Sequence, residues 1–133
     1  MARINQEQAF NEVEAWLDYK RIFDRTREDN RDSIEMLEDM VMEGVLVIDQ
    51  STFEITHKLV FPIGESNEIT ELKYKARLND KMIEPYMRGV KAKDADGRLT
   101  AYVSALTSEN SGIIKGMDSQ DKKVAIAIAV FFI

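Results

Sequence analysis

His57 is the single histidine of the chain, and there is no cysteine. A metal centre on nitrogen or sulfur needs several such ligands, so His57 reads as an imidazole at the edge of the core with a hydrogen-bond partner. Asp94-Ala95-Asp96-Gly97 has the look of a calcium loop. An EF-hand loop wants another acid two residues before Asp94 and a glutamate at its end, and those positions are Ala92 and Val103. The tetrapeptide therefore reads as a turn. Glu35 and Asp39 stand four apart, which makes them neighbours on a helix surface, not an acid and a base facing across a pocket. No GxSxG, Walker loop or GxGxxG occurs in the sequence. No nucleophile, base and orienting group can be assembled. The expectation is a protein without catalysis, metal or cofactor.

What remains is contact chemistry. Met36 and Met40 share a stripe with Leu37 and Val41. Methionine suits an adaptable contact surface; the same stripe serves equally as the core side of a helix. Charge is placed unevenly. The net charge is −6. Residues 28–43 hold seven acids against Arg31, whereas residues 1–27 hold five of each sign and residues 45–133 twelve of each. The excess lies on one short segment, either a solvated helix face or an interaction face. It repels phosphate, which argues against nucleic acid as a partner. Between Lys73 and Arg98, eight Lys and Arg meet only Asp80, Glu84, Asp94 and Asp96. This basic band can face the acidic segment within one chain or across two copies, and a homo-oligomer is expected. The opening MARINQEQAF has no apolar leader. The apolar run Val124–Ile133 is ten residues long, against roughly 20 for a bilayer span. Neither a membrane partner nor an oxidising compartment is expected.

The elements that position these residues follow from periodicity. Asn5 and Gln8 make a capping box. Phe10, Val13, Trp16, Leu17, Tyr19 and Phe23 recur at helical spacing, so a helix is expected to about Phe23. Ile34, Leu37, Met40 and Val41 mark a second helix, with Gly44 as its stop. No Pro or Gly lies between Asp24 and Asp32, so the two helices either fuse or turn near Asn30. After Gly44 the period becomes two. Val45–Ile48 is a short apolar run, and Asp49-Gln50-Ser51 a turn. Phe53, Ile55, His57, Leu59 and Phe61 alternate with Thr52, Glu54, Thr56, Lys58 and Val60 up to Pro62, which should end the strand. Gly64–Asn67 turns the chain, and Thr70, Leu72, Tyr74 and Ala76 alternate again. Asp80 caps a segment to about Arg88 that Pro85 either kinks or starts. Leu99, Tyr102, Val103 and Leu106 follow at helical spacing, then the apolar patch Ile113, Ile114 and Met117. Asp118 caps the last helix, with Asp121 in its first turn, where a negative charge suits the dipole. Alanines favour helix over strand for Val124–Val130. At 133 residues, one core plus an appendage is natural. The expected fold is α+β: an N-terminal helix or helical hairpin (1–44), then a small domain (45–133) with a three-stranded antiparallel meander and C-terminal helices on one sheet face.

From His57 to Phe132 the order of these segments resembles the tail assembly chaperones of long-tailed bacteriophages. HKLVFPI leads to a polar turn, and ITELKYKA returns as the partner strand. A short segment then precedes the helix LTAYVSALTS, the patch IIKGMDSQD and the terminal VAIAIAVFFI. The resemblance implies a non-enzymatic assembly factor in the host cytoplasm that binds the tape measure protein and helps recruit tail tube subunits. A tape measure is a long amphipathic helix, which a partner takes in an apolar groove. The groove residues expected on that basis are Leu99, Tyr102, Val103, Leu106, Ile128, Phe131 and Phe132, each equally at home in an ordinary core. Met36 and Met40 complete the expected contact set. The other phage reading is a virion component, a head-tail joining or tail tube protein, whose N-terminal helix clasps a neighbour. A third is a regulatory adaptor unrelated to phage.

Overall fold

The computed structural model describes residues 3–133. Its elements run α1 (Gln6–Tyr19), α2 (Asp24–Asp29), α3 (Arg31–Met42), β1 (Leu46–Ile48), β2 (Ile55–Ile63), β3 (Ile69–Tyr74), α4 (Asp80–Met87), α5 (Ala95–Thr107), α6 (Ser111–Lys115) and α7 (Ser119–Ala129). The strands form one antiparallel sheet in the order β1-β2-β3. The register sets Leu46 and Leu72 on either side of His57, and Ile48 and Tyr74 on either side of Ile55. These side chains and Leu59 make the buried face. Helices cover that face in a row: α1 and α3 on β1, α7 on β2, α5 on β3. The opposite face stays wet, with Val47 on it about half exposed. The α+β class and the meander agree with the sequence.

Residues 3–44 are not an appendage. Ala9, Val13, Trp16, Leu17, Ile34, Leu37 and Val41 belong to the same cluster of buried side chains as the sheet and α7. The boundary expected after residue 44 divides one core. The helix expected to reach Phe23 stops at Tyr19. Arg21 takes a left-handed φ of 57°, and the Ile22 and Arg21 N–H groups turn back to the carbonyls of Leu17 and Asp18 at 3.1 and 3.0 Å. Glycine is the usual residue at such a stop; an arginine here leaves no sequence signal. Phe23 follows at 80% exposure, and Phe10 is 46% exposed, so both lie off the core side of their stripe. Asn30, with φ −118° and ψ 31°, breaks the chain again between α2 and α3. Gly44, at φ 80°, ends α3 as expected.

Strand β2 departs from its alternation. Ile55, His57 and Leu59 are buried, but Phe61 is exposed and Ile63 buried. Pro62 does not end the strand. The pairing jumps from Lys58↔Glu71 to Ile63↔Ile69, so residues 59–62 stand opposite Thr70 alone. Four residues against one make a special bulge, and it resets which side chains face inward. Two later turns also differ. Asn79, not Asp80, caps α4 by accepting the Met82 N–H at 3.1 Å, and Pro85 stays inside that helix. Asp94-Ala95-Asp96-Gly97 is the first turn of α5, not a free turn, with the Asp94 carboxylate accepting the Gly97 N–H at 2.9 Å.

The buried register predicts a contrast between neighbours. Leu59→Ala should cost about 2–3 kcal/mol by leaving a cavity, while Lys58→Ala stays within about 0.5 kcal/mol. Urea titration of both variants checks this; equal effects would mean that the register is wrong.

Candidate functional site

Asp121 lies on the buried stripe of α7 with Val124, Ala125 and Ile128. It is 1% exposed. Its two carboxylate oxygens accept the backbone N–H groups of Val60 and Phe61 at 3.0 and 2.9 Å. These donors belong to the bulge, where the ladder to β3 is interrupted. Asp121 thus serves the sheet and not only its own helix dipole. Its spacing on the apolar stripe was the signal available in the sequence, because an acid on a core face needs partners.

The same carboxylate stands 3.7 Å from His57 Nε2. His57 Nδ1 lies 3.1 Å from the Tyr74 hydroxyl. His57 is fully buried, not at the core edge. Burial pushes its pKa down to about 4, against the pull of Asp121. Burial, and then Asp121, also raises the pKa of the Tyr74 phenol. At neutral pH the imidazole is therefore uncharged. The carboxylate favours the proton on Nε2, so Tyr74 O–H donates to Nδ1. Tyr, His and Asp stand in line, but His57 and Tyr74 are closed off from solvent. The set links β2, β3 and α7, and Asp121 alone of the three borders open space.

The sign of the pH effect follows. A base with a lowered folded pKa binds fewer protons folded than unfolded. Its contribution to stability is whole above about 6.5 and is lost as pH falls toward about 4. Between about pH 7 and about pH 5 the parent should lose about 2 kcal/mol more than His57→Gln. Urea unfolding at the two pH values measures it; parallel losses would show that His57 does not carry this slope.

The open apolar surface lies elsewhere. Met36 and Met40 of α3 face Gln120, Lys123 and Val124 of α7 across a cleft of about 360 Å³. Val45 and the bulged Val60 lie along it, with Glu43 and Asp121 at its polar points. A second hollow of about 200 Å³, lined by Asp32, Ser33, Met36, Lys123, Ile126 and Ala127, shares Met36 and Lys123 with it. Together they form one groove between α3 and α7. Of the other expected contact residues, Leu99 and Tyr102 are half-buried and share a hollow with Ala95, Arg98 and Ile133. Val103, Leu106 and Ile128 are fully buried and Phe131 is 5% exposed, so these four are core and not groove linings. Phe131 meets Trp16 edge-on, with ring centroids 5.7 Å apart. Phe132 is half-buried beneath the Lys20 ammonium, 3.3 Å from its ring centroid. Burial, and then the nearby Arg77, lower the Lys20 pKa to about 8.

These positions separate two adjacent residues. Phe131→Asp should abolish folding, because it puts a charge without a partner against Trp16. Phe132→Asp should fold, since Lys20 can pair with the new carboxylate. Circular dichroism of both variants checks the contrast, and two folded variants would place Phe131 outside the core.

Among the described residues, no three His, Cys, Asp or Glu side chains gather to hold a metal, and no helix is long and apolar enough to cross a membrane. No family model, characterised protein or solved structure matches this chain.

Proposed function

We propose that this chain is a non-enzymatic tail assembly chaperone, which holds an amphipathic helix of a tape measure protein in the host cytoplasm and helps recruit tail tube subunits. The observation that carries the reading is the groove between α3 and α7. It is apolar along its floor, open at the surface, and built around Met36 and Met40. A helix laid into such a groove buries its apolar stripe, and the unbranched thioether side chains adapt to varied client residues. The order of segments from His57 to Phe132 supports the phage assignment by resemblance. The alternative virion component needs a free N-terminal arm. That reading is the weaker one, because α1 and α3 are spent on the core.

Co-expression with a phage tape measure protein tests this reading. The parent chain should be recovered with the tape measure. Met36→Glu/Met40→Glu should remain folded and lose recovery by roughly tenfold or more, as expected when charges replace central apolar contacts. Unchanged recovery would remove the groove from the function. A parent chain that never binds would end the chaperone reading.

A further inference from the structure

We infer that two copies of this chain associate through the free edge of β3, antiparallel about a twofold axis at Leu72, with Glu71 of each copy opposite Lys73 of the other. The register of the sheet fixes which backbone groups are free. The Lys58 N–H donates to the Val45 carbonyl at 2.8 Å, and the Asp49 N–H to the Glu54 carbonyl at 2.9 Å. The even-numbered residues of β2 therefore direct their backbone groups to β1. Ile55 and His57 direct theirs to β3, where Tyr74 and Leu72 are their partners. Successive residues of a strand point their backbone groups to opposite sides, so those of Glu71 and Lys73 face outward. Lys75 continues the outward series, and its N–H finds the Leu106 carbonyl of α5 at 3.0 Å. Among the described residues, no backbone bond from outside the sheet reaches Glu71 or Lys73.

The two edges of the sheet are unlike. Strand β1 has three residues, and the Gln50 side-chain amide donates to the Ile48 carbonyl at 3.2 Å. A short edge with a covered carbonyl resists pairing. Strand β3 has six residues and neither Pro nor Gly among them.

Charged side chains are the usual guard of such an edge. Here the guard carries both signs. Glu71 and Lys73 are exposed on the wet face of the sheet, and neither belongs to the ion pairs found within 4.0 Å among the described residues. Two lysines at these positions would repel a second copy in every register. A glutamate and a lysine two residues apart repel it only where like meets like, Glu71 on Glu71 or Lys73 on Lys73. The register between these sets Glu71 on Lys73 at both ends of the contact. Opposite charges directly across an antiparallel pair attract, and the paired residues are of the kind that exchange both N–H···O bonds. Pairing stops at Lys75, where α5 occupies the edge.

The edge is thus its own complement, which makes a second copy the occupant. A twofold contact of this kind is closed, so it ends at a dimer with one antiparallel sheet running through both copies. Helices α3 and α7 pack on β1 and β2, so the groove between them stays clear of the contact. The inference rests on register and charge, not on the tail-assembly reading.

Sedimentation of the chain alone tests it, at about 10 μM and about 500 μM, a range that brackets the weak affinity of a short contact. The parent should move from monomer toward dimer across this range. Glu71→Lys and Lys73→Glu should each raise the dissociation constant about tenfold or more, because both cross-strand pairs become repulsive. Glu71→Lys/Lys73→Glu should dimerise as the parent does, with the charges exchanged. Glu71 stands opposite Lys58 within its own sheet. The single and the double variant at that position share the resulting repulsion, so a change in fold stability cannot imitate the rescue. In the parent, hydrogen exchange at the Glu71 and Lys73 amides should slow as concentration rises. A parent that stays monomeric at the higher concentration overturns the inference and leaves the two charges as a guard alone. A double variant that fails to recover, or a dimer whose Glu71 and Lys73 amides exchange as in the monomer, overturns it equally.

Discussion

Asp121→Ala is expected to lower stability by about 3–5 kcal/mol, as two charge-assisted hydrogen bonds are lost and their donors left without acceptors. Val60 and Phe61 donate to this carboxylate from the stretch of β2 that has left its ladder. No neighbouring strand offers a replacement acceptor at the bulge. Water reaches part of it, since the Val60 and Phe61 side chains are exposed, and that sets the lower limit. Asp121→Asn should recover less than half of the loss. An amide has one acceptor oxygen, and its NH2 group faces the second N–H donor to donor. Urea unfolding gives the free energies, and hydrogen exchange reports the two backbone sites. A loss under about 1 kcal/mol for Asp121→Ala would mean that water satisfies the bulge unaided.

Trp16→Ala is expected to cost about 3–5 kcal/mol, the range for deleting a buried aromatic. Trp16 is fully buried and packs against both Phe131 and Phe132. It therefore joins the first helix to the last segment. Trp16→Phe should cost far less than the alanine variant. The indole Nε1 is buried without a partner, so phenylalanine removes an unmet donor along with some volume. A fragment starting at residue 45 should not fold, because Trp16, Leu17, Ile34 and Leu37 leave the shared core with it. Chemical unfolding of the two variants and a circular dichroism spectrum of the fragment decide the matter. A folded fragment would restore the separate N-terminal arm.

The elements written in short-range patterns were legible in the sequence. Asn5, Gly44 and Asp118 act where their chemistry placed them, and Ile55, Leu59, Leu72 and Tyr74 face inward as their alternation required. The failures share a physical cause. Arg21 adopts a left-handed conformation at a helix end without being glycine, so tertiary packing imposed what local propensity did not signal. The bulge at residues 59–62 has its freed N–H groups met by a carboxylate far along the chain, which no window around Pro62 contains. The contact residues divided similarly. Met36 and Met40 fall on a groove, whereas Val103, Leu106, Ile128 and Phe131 fall in the core. An apolar residue at helical spacing looks the same in either place, because periodicity gives a face and not what lies against it.

The bond from Asp121 to Val60 spans 61 positions of sequence. During synthesis the bulged strand therefore leaves the ribosome well ahead of the carboxylate that satisfies it. Over that interval Val60 and Phe61 present two bare N–H groups on one strand, which can pair with a strand of another molecule. Arrival of α7 closes this window. The last helix is thus a plug against misassembly of the nascent chain as well as a wall of the finished core.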